Sequence, residues 1–163
     1  MGKNNSSSYS LASHLECSVR NAKRRGELVE VAFLHKAVSL GFAAAKPYGD
    51  CESYDFILDA RQGSTSRLWR VQVKSAGTCY KGAYRIIAAH FTKRSTKECY
   101  TSQQIDFLVA YIIPETAWYV LPVHVFTPRM FLSFFPHNPG SQGRYEQYRD
   151  AWNLMSDPAP TPP

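Results

Sequence analysis

Apolar residues recur along this chain with two different spacings. From Ala12 or Val19 to Leu40 they return every three or four positions, which predicts a helix that Gly41 stops. After a short extended segment (42–46) and the turn Pro47-Tyr48-Gly49-Asp50, the period shortens towards two. Strands are predicted at 54–59, 68–75 and 84–89, the first two separated by a turn at Gln62-Gly63-Ser64. The polar stretch 92–104 reads as a loop. Two further strands, 106–113 and 117–123, form a hairpin around Pro114-Glu115. A last helix is predicted over 142–154, with Tyr145, Tyr148 and Trp152 at i, i+3 and i+7 packing inwards. One helix, a run of strands and a closing helix predict an α/β fold: a mixed central sheet flanked by helices.

Composition narrows the picture. The chain has 163 residues, the length of one domain, with 44% hydrophobic and 13% aromatic residues to build a core. Residues 1–10, rich in Ser and Asn, and the Pro-rich 158–163 are expected to be disordered tails around a single domain at 11–157. The longest apolar run, 107–113, has strand length and falls far short of the roughly 18 residues that span a bilayer. With no apolar signal segment at the start, a cytoplasmic protein without membrane contact is expected. Cys17, Cys51, Cys79 and Cys99 are widely spaced and form no zinc pattern, so they read as free thiols. The net charge of +6 favours an anionic partner such as nucleic acid without requiring one.

Three residues break the pattern. On a helical wheel at about 100° per residue, Val29, Val31, Phe33, Leu34, Ala37, Val38 and Leu40 share one broad apolar arc. Glu30 falls near its middle and Glu27 towards its edge. A carboxylate there requires a metal, a cationic partner or a wet cleft, unless the helix is shorter or the side chain reaches water through a gap in the packing. Strand 68–75 alternates, with Trp69, Val71 and Val73 facing one way and Arg70, Gln72 and Lys74 the other. Alone, that is an ordinary half-exposed strand. Asp55 stands at the mouth of an apolar strand, where acids often serve only as turn residues or caps. One active site accounts for all three features.

The order Glu30, Tyr54-Asp55, Gln72-Val73-Lys74 resembles the PD-(D/E)xK nuclease superfamily, which has the restriction-endonuclease-like fold. In resolvase-like members the helix acid follows a Gly by four positions, which here selects Glu30 after Gly26. The branch containing group I intron homing endonucleases is the most similar. Arg25-Gly26, Gly41-Phe42, Pro47-Tyr48-Gly49-Asp50, Tyr54 to Asp59 and Arg70-Val71-Gln72-Val73-Lys74-Ser75 suit its pattern, as do Ile105-Asp106-Phe107 and Trp118 to Pro122. The chain departs from the superfamily pattern in having Tyr54 for Pro and Gln72 for the acid before x-Lys.

The resemblance implies a metal-dependent DNA endonuclease that hydrolyses phosphodiester bonds. Glu30, Asp55, the Gln72 side-chain oxygen and the Val73 carbonyl would hold Mg²⁺, for which Mn²⁺ substitutes. Lys74 would position water or stabilise the phosphate, with Arg70 and Ser75 as further candidates. Arg24, Arg25, Lys93, Arg94 and Lys97 are candidate DNA contacts, and a double-strand cut implies a homodimer or higher homo-oligomer. The histidines have no assigned role. Two other readings stay open: a DNA-binding module that keeps the fold without cleaving, and a structural protein in which Glu30 and Lys74 form a buried ion pair.

Overall fold

The computed structural model describes residues 21–49, 51–60, 67–92, 95–138 and 143–156. Helix α1 (Ala22–Ser39) begins where the Asn21 side chain accepts hydrogen bonds from the N–H groups of Lys23 and Arg24, at 3.0 and 3.2 Å. Its end is set by Gly41, whose φ of +90° suits the left-handed turn that leads into the sheet. Residues before Asn21, where an earlier start is expected, lie outside the described residues.

Among the described residues ten strands follow in chain order: β1 (Ala43–Ala45), β2 (Phe56–Asp59), β3 (Leu68–Ala76), β4 (Cys79–Tyr80), β5 (Ala83–Ile87), β6 (Ala89–Phe91), β7 (Lys97–Cys99), β8 (Phe107–Ile112), β9 (Ala117–Pro122) and β10 (Phe131–Phe134). A short helix α2 (Val123–Phe126) lies between the last two. The main sheet has the order β1-β2-β3-β8-β9. Only β3 and β8 pair in parallel, so the sheet is mixed, as expected.

Both faces of the sheet are covered, which explains why 107–113 reads as an unbroken apolar run. Phe107, Val109 and Tyr111 face the layer that holds α1, whereas Leu108, Ala110 and Ile112 face the layer that holds β5, β10 and α2. At the centre of the first layer, Phe33 is fully buried, with ring centroids 5.0 Å from Phe56 and 6.0 Å from Trp152. The start of β8 is anchored by Asp106. Its carboxylate takes Arg70 Nη2 at 2.9 Å, Nε at 3.1 Å and the Arg70 backbone N–H at 2.8 Å. Arg70 therefore pins the parallel pair and does not face the Lys74 cavity. The Arg70 guanidinium holds the Asp106 carboxyl below the usual carboxylate range, against the opposing effect of burial.

Several expectations are corrected. The helix expected over 142–154 does not form across its described residues, 143–154: Glu146–Tyr148 and Trp152–Met155 are separate 3-10 turns, and between them Asp150 has φ +48°. Tyr145 and Trp152 are indeed buried, but in opposite layers, so their i, i+7 spacing is not a helical face. The strand at 84–89 divides at Ala88, with β5 joining β10 and β4 while β6 pairs with β7. The loop at 92–104 contains β7. The apolar arc of α1 is narrower than the wheel implies, because a straight helix on a sheet buries one stripe: Val29, Phe33 and Ala37. Val31, Leu34, Val38 and Leu40 are exposed.

Truncating Phe33 to Ala should cost about 3–5 kcal/mol of stability, since three aromatic rings close on it. Urea unfolding of Phe33→Ala should show a lower midpoint; a loss below about 1 kcal/mol would contradict this packing.

Candidate active site

The site forms where the sheet is notched. β2 and β3 are antiparallel with Phe56 opposite Val71, so β3 continues from Gln72 to Ala76 beyond its last partner in β2. One step along the same ladder, Asp55 stands opposite Gln72, and the Asp55 N–H still bonds to the Val71 carbonyl at 2.9 Å. Cross-strand partners share a face, so Asp55 joins the face that already carries Gln72 and Lys74. The N-terminal half of α1 closes the other side. The result is a cavity of about 270 Å³ lined by Arg25, Gly26, Glu30, Asp55, Gln72, Val73, Lys74 and Ser75, among others.

All four candidate catalytic residues and Val73 thus reach one cavity from three elements far apart in sequence. Asp55 Oδ2 is the hub. It accepts the Val73 backbone N–H at 2.8 Å and the Gln72 side-chain amide at 2.5 Å. Gln72 Nε2 also contacts the Val73 carbonyl, at 3.2 Å. The amide hydrogens of Gln72 therefore point at the oxygens of Asp55 and Val73. Gln72 itself is 6% exposed, so this pairing satisfies a buried amide.

Glu30 sits at the edge of the buried stripe of α1 rather than in its middle. Its Oε2 pairs with Lys46 Nζ at 2.5 Å, with 26% of the Glu30 side chain exposed. The carboxylate is tolerated there because it has a cation and water. The alternative reading of a structural protein with a buried Glu30–Lys74 pair is not supported, since the partner of Glu30 is Lys46. Lys74 makes no ion pair within 4.0 Å among the described residues; its ammonium lies 5.9 Å from the centre of the buried Tyr100 ring.

Electrostatics divides the cluster unevenly. Burial pushes the Asp55 carboxyl above its usual range; the Val73 N–H and the cations Lys74 and Lys46 oppose this, and Glu30 adds to it. Burial lowers the Lys74 ammonium, and Asp55 and Glu30 partly restore it. At both key groups partial desolvation works against the charged form, a pattern concentrated at functional sites.

Of the candidate DNA contacts, Arg25 lines the cavity, Arg24 is exposed on the first turn of α1, and Lys97 stands on β7 beside a neighbouring cavity. Lys93 and Arg94 lie outside the described residues. Tyr100 and Lys46 were not foreseen. Neither belongs to a local motif, because each meets the site only through tertiary packing. Glu30, Asp55 and the Val73 carbonyl line the cavity with oxygens that could hold a small hard cation, joined by the Gln72 Oε1 if that amide turned over. Among the described residues no group of three or more His, Cys, Asp or Glu gathers, so the set is poor in charge.

A family model described as PD-(D/E)XK endonuclease matches residues 20–155. The solved structure of a bacterial homing endonuclease, I-Ssp6803I, is similar at a TM-score of 0.72 and 29% sequence identity, covering 83% of this chain and 93% of that one. No curated protein matches the chain. Among the described residues no helix is long and apolar enough to cross a membrane. The matched span takes in the helix, the notched sheet and every residue of the cavity, and this chain belongs to the PD-(D/E)XK endonuclease family, on a restriction-endonuclease-like fold.

Proposed function

We propose that the protein is a Mg²⁺-dependent DNA endonuclease, with Mn²⁺ able to substitute, whose active site is the cavity around Asp55. The observation that carries this reading is the convergence of Glu30, Asp55, Gln72 and Lys74 on one cavity in a chain of this family. Residues 11–157 are taken as one catalytic domain.

When bound, the divalent cation supplies charge to the phosphoryl oxygens and polarises a water. Asp55 and the Val73 carbonyl would hold it, and Glu30 would add a second carboxylate, with its pairing to Lys46 limiting the charge it lends. Lys74 stands on the same strand face two residues beyond Gln72, and its ammonium hydrogen-bonds the phosphate oxygen on which charge develops. The Tyr100 ring beneath it restricts where that ammonium settles. One such cavity cuts one strand, so a double-strand cut requires a homodimer or a higher homo-oligomer.

One observation favours a second reading, a DNA-binding module that does not cleave. Gln72 turns its amide nitrogen, not its oxygen, towards Asp55, and so occupies with a donor the space between two candidate metal ligands. Substitution separates the readings. In a cleavage screen over supercoiled, linear and branched DNA, Asp55→Ala and Lys74→Ala should each lower the Mg²⁺-dependent rate by about 10²-fold or more with the fold intact. Undiminished cutting by both would remove the site assignment. Gln72→Glu should raise the rate or lower the Mg²⁺ requirement. Cleavage that appears only in Gln72→Glu would favour the binding-module reading.

The site also costs stability. A carboxyl whose pKa is raised in the fold stabilises it only while protonated. That contribution is full below the unfolded value near 3.8 and is lost as pH rises through the higher folded value. At neutral pH the Asp55 charge is therefore a net burden. Asp55→Asn, which keeps an oxygen for the Val73 N–H, should melt at a higher temperature than the unaltered protein at pH 7, with the gap closing below about pH 4. A lower melting temperature at pH 7 would contradict it.

A further inference from the structure

A second cavity, of about 560 Å³, adjoins the first. Arg25, Lys74 and Ser75 line both and form the ridge between them. Beyond the ridge the walls come from β5, β6 and β7, with the buried Tyr100 also in the lining. Four cations, Arg25, Lys74, Arg85 and Lys97, line this second cavity, and no carboxylate does among the described residues. Arg85 and Lys97 are exposed and have no ion-pair partner among the described residues, so their charge is uncompensated at the surface.

Apolar surface is interleaved with this charge. Arg85 and Ile87 point outward from the same face of β5, and Ile87 is 42% exposed. Phe91, on the β6–β7 ribbon, is 69% exposed, and Lys97, its register partner, holds its ammonium 5.5 Å from the ring centre. A largely exposed aromatic is poorly matched to water, and the cations beside it have no carboxylate partner among the described residues. The pair matches a polymer whose backbone alternates phosphate with sugars that carry flat bases.

We propose that this second cavity is the cleft for the DNA strand flanking the scissile phosphate. Arg85 and Lys97 take the phosphates next to the one at Lys74, and Phe91 packs against the intervening sugar and base. This rests on the nuclease reading, because the shared ridge carries Lys74. It adds a direction to that reading: the strand runs from the Asp55 cavity across Lys74 towards the β6–β7 ribbon.

Binding measured without turnover tests the cleft separately from catalysis. Fluorescence anisotropy of a short labelled duplex, with Ca²⁺ in place of Mg²⁺, gives the dissociation constant at several salt concentrations. The double variant Arg85→Ala/Lys97→Ala should weaken binding about tenfold or more and flatten the slope of log K against log salt by about 2, one for each lost phosphate contact. Phe91→Ala should weaken binding about fivefold with a smaller change in slope. Unchanged affinity and slope in the double variant would overturn the proposal. So would an equal loss in Arg144→Ala, an exposed cation outside both cavities, or failure of the unaltered protein to bind DNA at low salt. If Asp55→Ala and Lys74→Ala still cut while the double variant loses binding, the catalytic assignment fails and the cavity is a DNA-binding surface that does not flank the scissile phosphate, which overturns the direction assigned to the strand.

Discussion

A single oxygen, Asp55 Oδ2, accepts the backbone N–H of Val73 and the side-chain amide of Gln72, and through them ties the first residue before β2 to the strand that continues past it. The strand ladder explains the contact, since Asp55 lies one register step beyond the Phe56–Val71 pair. The contact has two consequences. It joins the open end of β3 to the turn leading into β2 where the sheet offers no further pairing. It also sets a carboxylate, a carbonyl and an amide within reach of one another on the face that carries Lys74. A longer β2 would pair with Gln72 to Ala76 and fill the notch.

The rest of the molecule keeps that notch open and rigid. β3 and β8 run in parallel between two apolar layers, and Arg70 secures their alignment by gripping Asp106 and the carbonyls of Ser102 and Gln103. Phe33 seats α1 on the sheet through a ring cluster, so Glu30, one residue beyond the buried Val29, projects at the edge of the packed stripe. There it reaches both the cavity and Lys46. Burial works against charge at both Asp55 and Lys74, and their mutual attraction offsets part of that cost. Holding these groups in a partly desolvated cavity trades stability for chemistry.

How much of this could be read in advance depended on how local each signal is. The β8–β9 hairpin and the buried parallel strand were legible, because an apolar run bounded by a Pro-containing turn has few alternatives. The four cavity residues were also legible, through the order and spacing that resemble the nuclease family, although alternation along β3 would equally describe a solvated face. The C-terminal helix was not. Tyr145, Tyr148 and Trp152 have helical spacing, yet the chain turns at Asp150 and sends Tyr145 and Trp152 to opposite layers. Only a partner such as the Trp118 carbonyl, which accepts the Asp150 N–H, fixes that turn, and it lies far away in sequence. The Lys46 partner of Glu30 and the ring beneath Lys74 escaped for the same reason. Each is a tertiary contact with no periodic trace.

The central claim is that Asp55 organises a cation site out of an oxygen-rich but charge-poor set of residues. Electron paramagnetic resonance of Mn²⁺ measures this without any assumption about the DNA substrate, because the free-ion signal falls as the ion is bound. The account predicts that the unaltered protein quenches the signal, that Asp55→Ala does not, and that Gln72→Glu quenches it at lower Mn²⁺ concentration. Equal quenching by the unaltered protein and Asp55→Ala, or none by either the unaltered protein or Gln72→Glu, would contradict it.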